Sequence, residues 1–259
     1  MKKKKKNNEF LKSVLMILIP IILCVGGYFI YDNYIKKPGI PSVNKLIEEK
    51  KKNGYPQEEE IDISNYENPL PGYRNQYGNS NIMGRLEIPN INIDSLIART
   101  TNNEYYLNYN IYGQWDGLGM PFFDYRNLDL NNDKQINIYG HNTQVTSLYS
   151  QLPFTNLEAY MDEEIFKNYK DVYLSIDERQ IHYEVVAIKI VDGTNNEHMK
   201  VIFSNDTDYL QHVNKVLAGT KYKSENADFT TSDRMLIMQI CHYDPVGTYL
   251  LVICKEKNK

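Results

Sequence analysis

The pattern of hydrophobic and polar positions divides the chain into three parts. Residues 13–31 read SVLMILIPIILCVGGYFIY and carry no charge over 19 positions. At 1.5 Å of rise per residue, a helix of that length covers roughly 28 Å, close to the ~30 Å hydrocarbon core of a bilayer. The pattern therefore predicts a transmembrane anchor over 13–34. Residues 35–80 are polar and read as a stalk: Ser42 is placed to cap a short helix through Lys52, ended by Asn53-Gly54, and a turn-rich, acidic stretch follows. Its EEKKK and EEE runs read as solvated faces. From about residue 82 the pattern changes to short β-rich runs: GRLEIP, NINIDSLIA, MPFFDYR, KQINIYG, DVYLSI, IHYEVVAIKIV, MKVIFS, MLIMQIC and TYLLVICK. Two helical patterns interrupt them. One covers about 155–169 with Thr155 as cap. The other covers about 206–218 with Asn205 or Asp206 as cap, an apolar face of Leu210, Val213, Val216 and Leu217, and Gly219 as terminator. Short strands between turn residues predict a mostly β domain over 81–259, a sandwich or barrel decorated with helices.

Charge sets the orientation. Lys2 to Lys6 and Lys12 against Glu9 give residues 1–12 a charge of +5, so a chain of net charge −4 leaves −9 on the remainder. A basic tail before an apolar span is held in the cytoplasm by the positive-inside rule, so the acidic body is expected outside the cell. Tyr28 and Tyr31 sit at the outer end of the span, where aromatic belts form, and Pro20 is tolerated in a membrane helix. No small-x-small site closes the segment for signal-peptide cleavage, and Leu23 before Cys24 is large for a lipidation site. The acidic body argues against nucleic-acid binding, which usually needs a basic face. Three cysteines exclude a disulfide scaffold, and five histidines show no metal-site spacing.

The cysteines then narrow the chemistry. The runs 234–241 and 248–255 flank a short turn, so a hairpin would pair positions summing to about 490. Cys241 then lies opposite Tyr249 and Cys254 opposite about Leu236, leaving the two sulfurs roughly 16 Å apart along the strand, too far for a disulfide. Cys241 is expected to be a free thiol at a strand end and a candidate nucleophile, with Cys254 and Cys24 as buried apolar residues. His141, in NIYGHNT, follows a strand at an exposed loop mouth; the residues alone fit a catalytic base and a turn histidine without a task equally. His182, His198 and His212 read as surface or core-edge residues, His212 on the polar face of its helix. His242 directly follows Cys241, so in extended chain its ring points to the opposite face. Asp129, Asn131 and Asp133 imitate the start of a calcium loop, but Lys134 and Gly140 stand where glycine and glutamate are needed.

With these residues in view, the chain resembles the sortases, and class B sortases in particular: membrane-anchored cysteine transpeptidases of Gram-positive bacteria. GRLEIPNINIDSLIA, NNEYYLNYN, FFDYRN followed by NIYGHN, and the helix before the cysteine strand carry the resemblance, from about Gly84 to the C-terminus. The resemblance implies a closed antiparallel or mixed eight-stranded β-barrel with peripheral helices. It also implies His141 and Cys241 as catalytic residues, no cofactor or metal, and transfer of an acyl group from a C-terminal sorting signal to an amine of peptidoglycan or a pilin. Two departures stand out. The family's T-L-x-T-C is here Ile237, Met238, Gln239, Ile240 and Cys241. The arginine expected at the start of the last strand is replaced, at the position opposite Cys241, by Tyr249, with Arg126 or Arg234 as cations that could reach in from elsewhere. These departures keep two alternatives open, a catalytically impaired accessory or binding module and a hydrolytic cysteine peptidase.

Overall fold

A computed structural model describes residues 41–57, 60–142 and 153–257. The expected basic tail, the membrane anchor with Cys24, and residues 35–40 of the expected stalk lie outside the described residues. Among the described residues no helix is long and apolar enough to cross a membrane.

Among the described residues nine strands form the sheet: β1 (Ile82–Ile88), β2 (Ile93–Ala98), β3 (Phe122–Phe123), β4 (Gln135–Gly140), β5 (Asp171–Ser175), β6 (Gln180–Asp192), β7 (Tyr222–Lys223), β8 (Met235–Tyr243) and β9 (Val246–Glu256). Their order is β5-β1-β2-β3-β4-β8-β9-β6-β7, and β5 also pairs with β6. That last pairing closes eight strands into a barrel and leaves β7 as a short addition on β6. Two neighbouring pairs, β2–β3 and β4–β8, are parallel and the rest antiparallel. The expected closed, mixed eight-stranded barrel is thus present. Closure removes the unpaired strand edges of an open sheet.

Alternation along β4, β8 and β9 fills two of the three apolar clusters among the described residues. Leu236, Met238 and Ile240 of β8, Ile136 and Ile138 of β4, and Leu250, Val252 and Cys254 of β9 belong to the larger, interior cluster. Met235, Ile237, Leu251 and Ile253 point the other way and pack under helix α4 (Asp206–Leu217) through Tyr209, Val213, Val216 and Leu217. A central strand buried on both faces reads as a continuous apolar run, which is why MLIMQIC shows no alternation of hydrophobicity.

Several expected elements differ in detail. The helix read at 155–169 is a 3-10 segment, Pro153–Met161, followed by α3 (Glu163–Asn168). Asp162 caps α3 by accepting from the N–H groups of Glu164 and Ile165, whereas the Thr155 hydroxyl is buried without a partner and caps nothing. Asn205 caps α4 through Asp208 N–H, as expected. MKVIFS is not a strand: Met199 ends a 3-10 turn and the residues after it find no ladder. Helix α1 (Pro41–Lys52) includes Ser42, which lies inside it rather than at its cap position. Helix α2 (Leu70–Tyr77) arises within the stretch read as turns. Val43, Leu46 and Leu70 are buried, and Arg74 bonds Ile82 O and Asp177, so the described part of the 35–80 segment is packed onto the barrel.

Candidate active site

The pairing of β4 with β8 brings the two candidate residues together. The strands run parallel with Gly140 beside Ile240, so His141 and Cys241 are the next residues on adjacent strands, though 100 positions apart in sequence. Side chains alternate faces with period two. Because Ile138 and Ile240 fill the barrel interior, Tyr139, His141, Gln239 and Cys241 face outward. All four line one pocket of about 180 Å³, together with Leu107, Met199 and Tyr249. Gly140 permits the approach: a Cβ there would collide with the Phe154 ring, which covers the strand end.

The ring of His141 is held in one tautomer. Its Nε2 lies 2.7 Å from Leu107 O. A carbonyl can only accept, so Nε2 carries the hydrogen and Nδ1 of the neutral ring is free to take a proton. Cys241 is half-buried and unpaired, as is the buried Cys254. Burial pushes the Cys241 thiol up, against a smaller lowering by a backbone hydrogen bond. The resting nucleophile is therefore a thiol that needs a base at the moment of attack. Iodoacetamide alkylation of Cys241 should be slow at pH 7 and should still be rising at pH 9, above the ordinary thiol value of about 8.5; a plateau below pH 8 in a stopped-time mass assay would contradict this.

His242 turns away from the pocket, as the alternation requires. Its Nδ1 lies 2.9 Å from Glu158 Oε1, and the same oxygen accepts from Asn142 Nδ2 at 2.8 Å. Asn142 Nδ2 also donates to Cys241 O at 2.7 Å, and Tyr243 OH donates to Asn142 O. The backbone of the nucleophile is thereby tied to the strand that carries His141. Burial would lower His242, but the Glu158 carboxylate and Asp244 outweigh it and raise the ring above the ordinary imidazole value.

No cation lines the pocket among the described residues. The hairpin register matches the expectation, with Cys241 opposite Tyr249 and Leu236 opposite Cys254, so Tyr249 does occupy the position across from the nucleophile. Arg126 is committed elsewhere: it grips both Asp124 oxygens at 2.8 and 2.7 Å and donates to Met199 O. Arg234 sits at the far end of β8, bonded to Asp133 O, Leu130 O and Glu256. Lys255 bonds Asp228 O and pairs with Asp233.

A buried polar row supports the pocket from behind, and the sequence reading missed it. His212 is not on a solvated face: it is buried, 2.8 Å from Gln135 Oε1, and burial pushes it down to about 4. Gln135 donates to Asn137, Asn137 to Tyr139 OH, and Tyr139 OH to Asp124. Gln135 and Asn137 also both donate to His198 O. Gln135, Asn137 and Tyr139 are alternate residues of β4, so a period-two set of amides inside an apolar strand was the available signal. His182 is buried on β6, its two ring nitrogens facing Glu60 and Asp171. Those three residues are close enough together to hold a metal ion, but Lys257 already pairs with both acids and the group does not line the pocket. The calcium-loop imitation is a turn before β4, closed by Asn132 N–H and Asp133 N–H on Asp129 O.

A closed mixed barrel with this helical decoration is a class B sortase-like fold. In sequence the chain is homologous to sortase B. It is 28% identical to sortase B of Listeria monocytogenes over 164 residues, which are 63% of this chain and 63% of that protein. It is 21% identical to sortase B of Staphylococcus aureus over 250 residues, 94% of this chain and 95% of that protein. The Listeria match thus spans less than two thirds of its relative. Sortase B of Clostridium perfringens superposes with a TM-score of 0.65 at 25% identity, covering 73% of this chain and all of that one. A Staphylococcus aureus sortase B–substrate complex gives 0.63 at 18% identity over 84% and 92% of the chains. A sortase B complexed with triglycine gives 0.64 at 19% identity over 88% and 96%. No family model matches the chain.

Proposed function

We propose that the chain is a sortase-type cysteine transpeptidase. One observation carries this reading: Cys241 and His141 stand side by side on parallel strand ends, facing one pocket, in a class B sortase-like barrel. His141 Nδ1 takes the thiol proton as Cys241 Sγ adds to the carbonyl carbon of a sorting signal. The tetrahedral adduct collapses, the C–N bond breaks, and the leaving amine takes the proton from His141. The thioacyl enzyme is then attacked by an incoming amine, which gives its proton to His141, and the thiolate leaves. One difficult acyl transfer becomes two easier ones.

The substrates are surface proteins bearing a C-terminal sorting signal, and the acceptor is an amine of peptidoglycan or a pilin. The likeness to a sortase B solved with triglycine supports a glycine amine as a probe. The basic residues 1–12 and the uncharged residues 13–31 support a single-pass membrane anchor with a cytoplasmic N-terminus, and residues 81–259 act outside as the catalytic domain. Anchoring the enzyme where its substrates emerge raises their local concentration.

The test is incubation of the protein with a panel of sorting-signal peptides and triglycine, followed by product masses. Ligated product is expected; cleaved product alone would make the protein a peptidase, and no product with an unreactive Cys241 would sink both. Tyr249→Arg should raise the ligation rate roughly tenfold or more, because a guanidinium donor opposite the nucleophile stabilises developing negative charge. An unchanged rate would mean that a cation at this position does not reach the reacting oxygen.

A further inference from the structure

Gln239 stands two residues before Cys241 on the same face of β8 and beside Tyr139 of β4. It is only 9% exposed, and the exposure it has is to the pocket it lines. Its amide is oriented from behind. His198 Nε2 lies 2.6 Å from Gln239 Oε1. Burial pushes His198 down, so the ring is neutral and has one hydrogen to give. His198 Nδ1 is buried without a partner, so the hydrogen belongs on Nε2, where it is used, and the unpaired nitrogen is an acceptor rather than a stranded donor. With Oε1 engaged by His198, the two N–H groups of Gln239 have no protein acceptor among the described residues. His198 itself is fixed, because its carbonyl accepts from both Gln135 and Asn137 of the buried row. The arrangement is a pair of donors held on the nucleophile's own strand, in a pocket that no cation lines among the described residues.

Resting on the transpeptidase reading for the nucleophile, we propose that Gln239, oriented by His198, donates an amide N–H to the carbonyl oxygen that Cys241 attacks. As the C–S bond forms, the carbonyl π electrons move onto that oxygen and the hydrogen bond strengthens; as the C–N bond breaks, they return. Gln239 is then a catalytic residue and His198 a positioning residue. The pair supplies, without charge, the stabilisation that a guanidinium would supply opposite the nucleophile. A preorganised donor costs no rearrangement during the reaction, and loss of one such donor typically costs on the order of 10²–10³ in rate.

The experiment compares two reactions of Cys241 in the full chain, each corrected by Cys241→Ala. Acylation by p-nitrophenyl acetate passes through an oxyanion; alkylation by iodoacetamide does not. Gln239→Met should slow acylation by roughly 10²-fold or more and leave alkylation unchanged. His198→Leu should do the same, the double variant should be no slower than Gln239→Met, and His198→Gln, which keeps a donor, should restore most of the rate. An unchanged acylation rate, a parallel fall in both reactions, or a wild-type chain acylated no faster than Cys241→Ala each overturns the proposal. If acylation behaves as expected while no sorting peptide is ligated, the transpeptidase reading fails and the donor assignment stands.

Discussion

Replacing Cys241 with alanine is expected to abolish thioacyl formation and ligation, with a loss of roughly 10⁴-fold or more, as removal of a nucleophile from a covalent mechanism does. The thermal midpoint should stay within a few degrees of wild type. Cys241 is half-buried at a strand end, and no hydrogen bond from its side chain to another residue is present among the described residues; Asn142 Nδ2 donates to the backbone Cys241 O, a contact that alanine retains. Intact-mass analysis after incubation with a sorting peptide reads both points at once: wild type gains the acyl mass and the variant does not. A Cys241→Ala protein that still cleaves or ligates would remove Cys241 from the mechanism.

Replacing Asp124 with alanine is expected to be the most destabilising single change near the site. Asp124 is fully buried and accepts from Arg126 Nε and Nη2, Tyr139 OH, Asn103 Nδ2 and Arg126 N–H. Removing it strands a guanidinium, a phenol and an amide at once. Breaking a buried ion pair from one side costs about 3–5 kcal/mol, which for a domain of this size lowers the midpoint by roughly 10 °C. The pH dependence has a definite sign. Burial raises the Asp124 carboxyl, but the hydrogen bonds from Arg126, Tyr139 and Asn103 outweigh it and hold it below the ordinary carboxylate value. A depressed folded-state pKa contributes stability above the unfolded value of about 4 and loses it as pH falls through the folded one. The gap between wild type and Asp124→Ala, followed by thermal melts, should therefore be full at pH 7 and narrow below pH 4. Activity should fall further than stability explains, because Asn103 and Tyr139 also line the pocket.

How far the sequence reaches is visible in particular residues. The β8–β9 register was legible around the thiol: a short turn limits which positions face each other, so Cys241 opposite Tyr249 and Cys254 opposite about Leu236 follow from counting, whereas the slip that pairs Tyr243 with Val246 does not. The same alternation correctly turned His242 away from the thiol. The helix at 155–169 was legible only as one helical stretch, and its break at Asp162 was not, because a residue that can cap a helix can also sit inside one. His212 was misjudged for a related reason. Helix periodicity marks a polar side, but here that side meets Gln135 of β4 and not water. No local pattern reports that an amide 77 residues away will be waiting.

The sequence by itself determined which positions face each other around Cys241 in the β8–β9 hairpin, the Asn205 cap of α4, and the separation that keeps Cys241 and Cys254 from pairing. Each depends on neighbours a few residues apart, and strand period and turn length set those contacts. The resemblance singled out His141, but only the tertiary structure showed how it comes to share a pocket with Cys241, since the parallel pairing of β4 with β8 joins segments 100 residues apart. It also decided that Arg126 and Arg234 are bound elsewhere and that Gln239 and His198 back the pocket. Barrel closure governs these facts: it determines which outward faces become neighbours, and long-range pairing follows from how the whole set of strands buries its apolar sides rather than from any one of them.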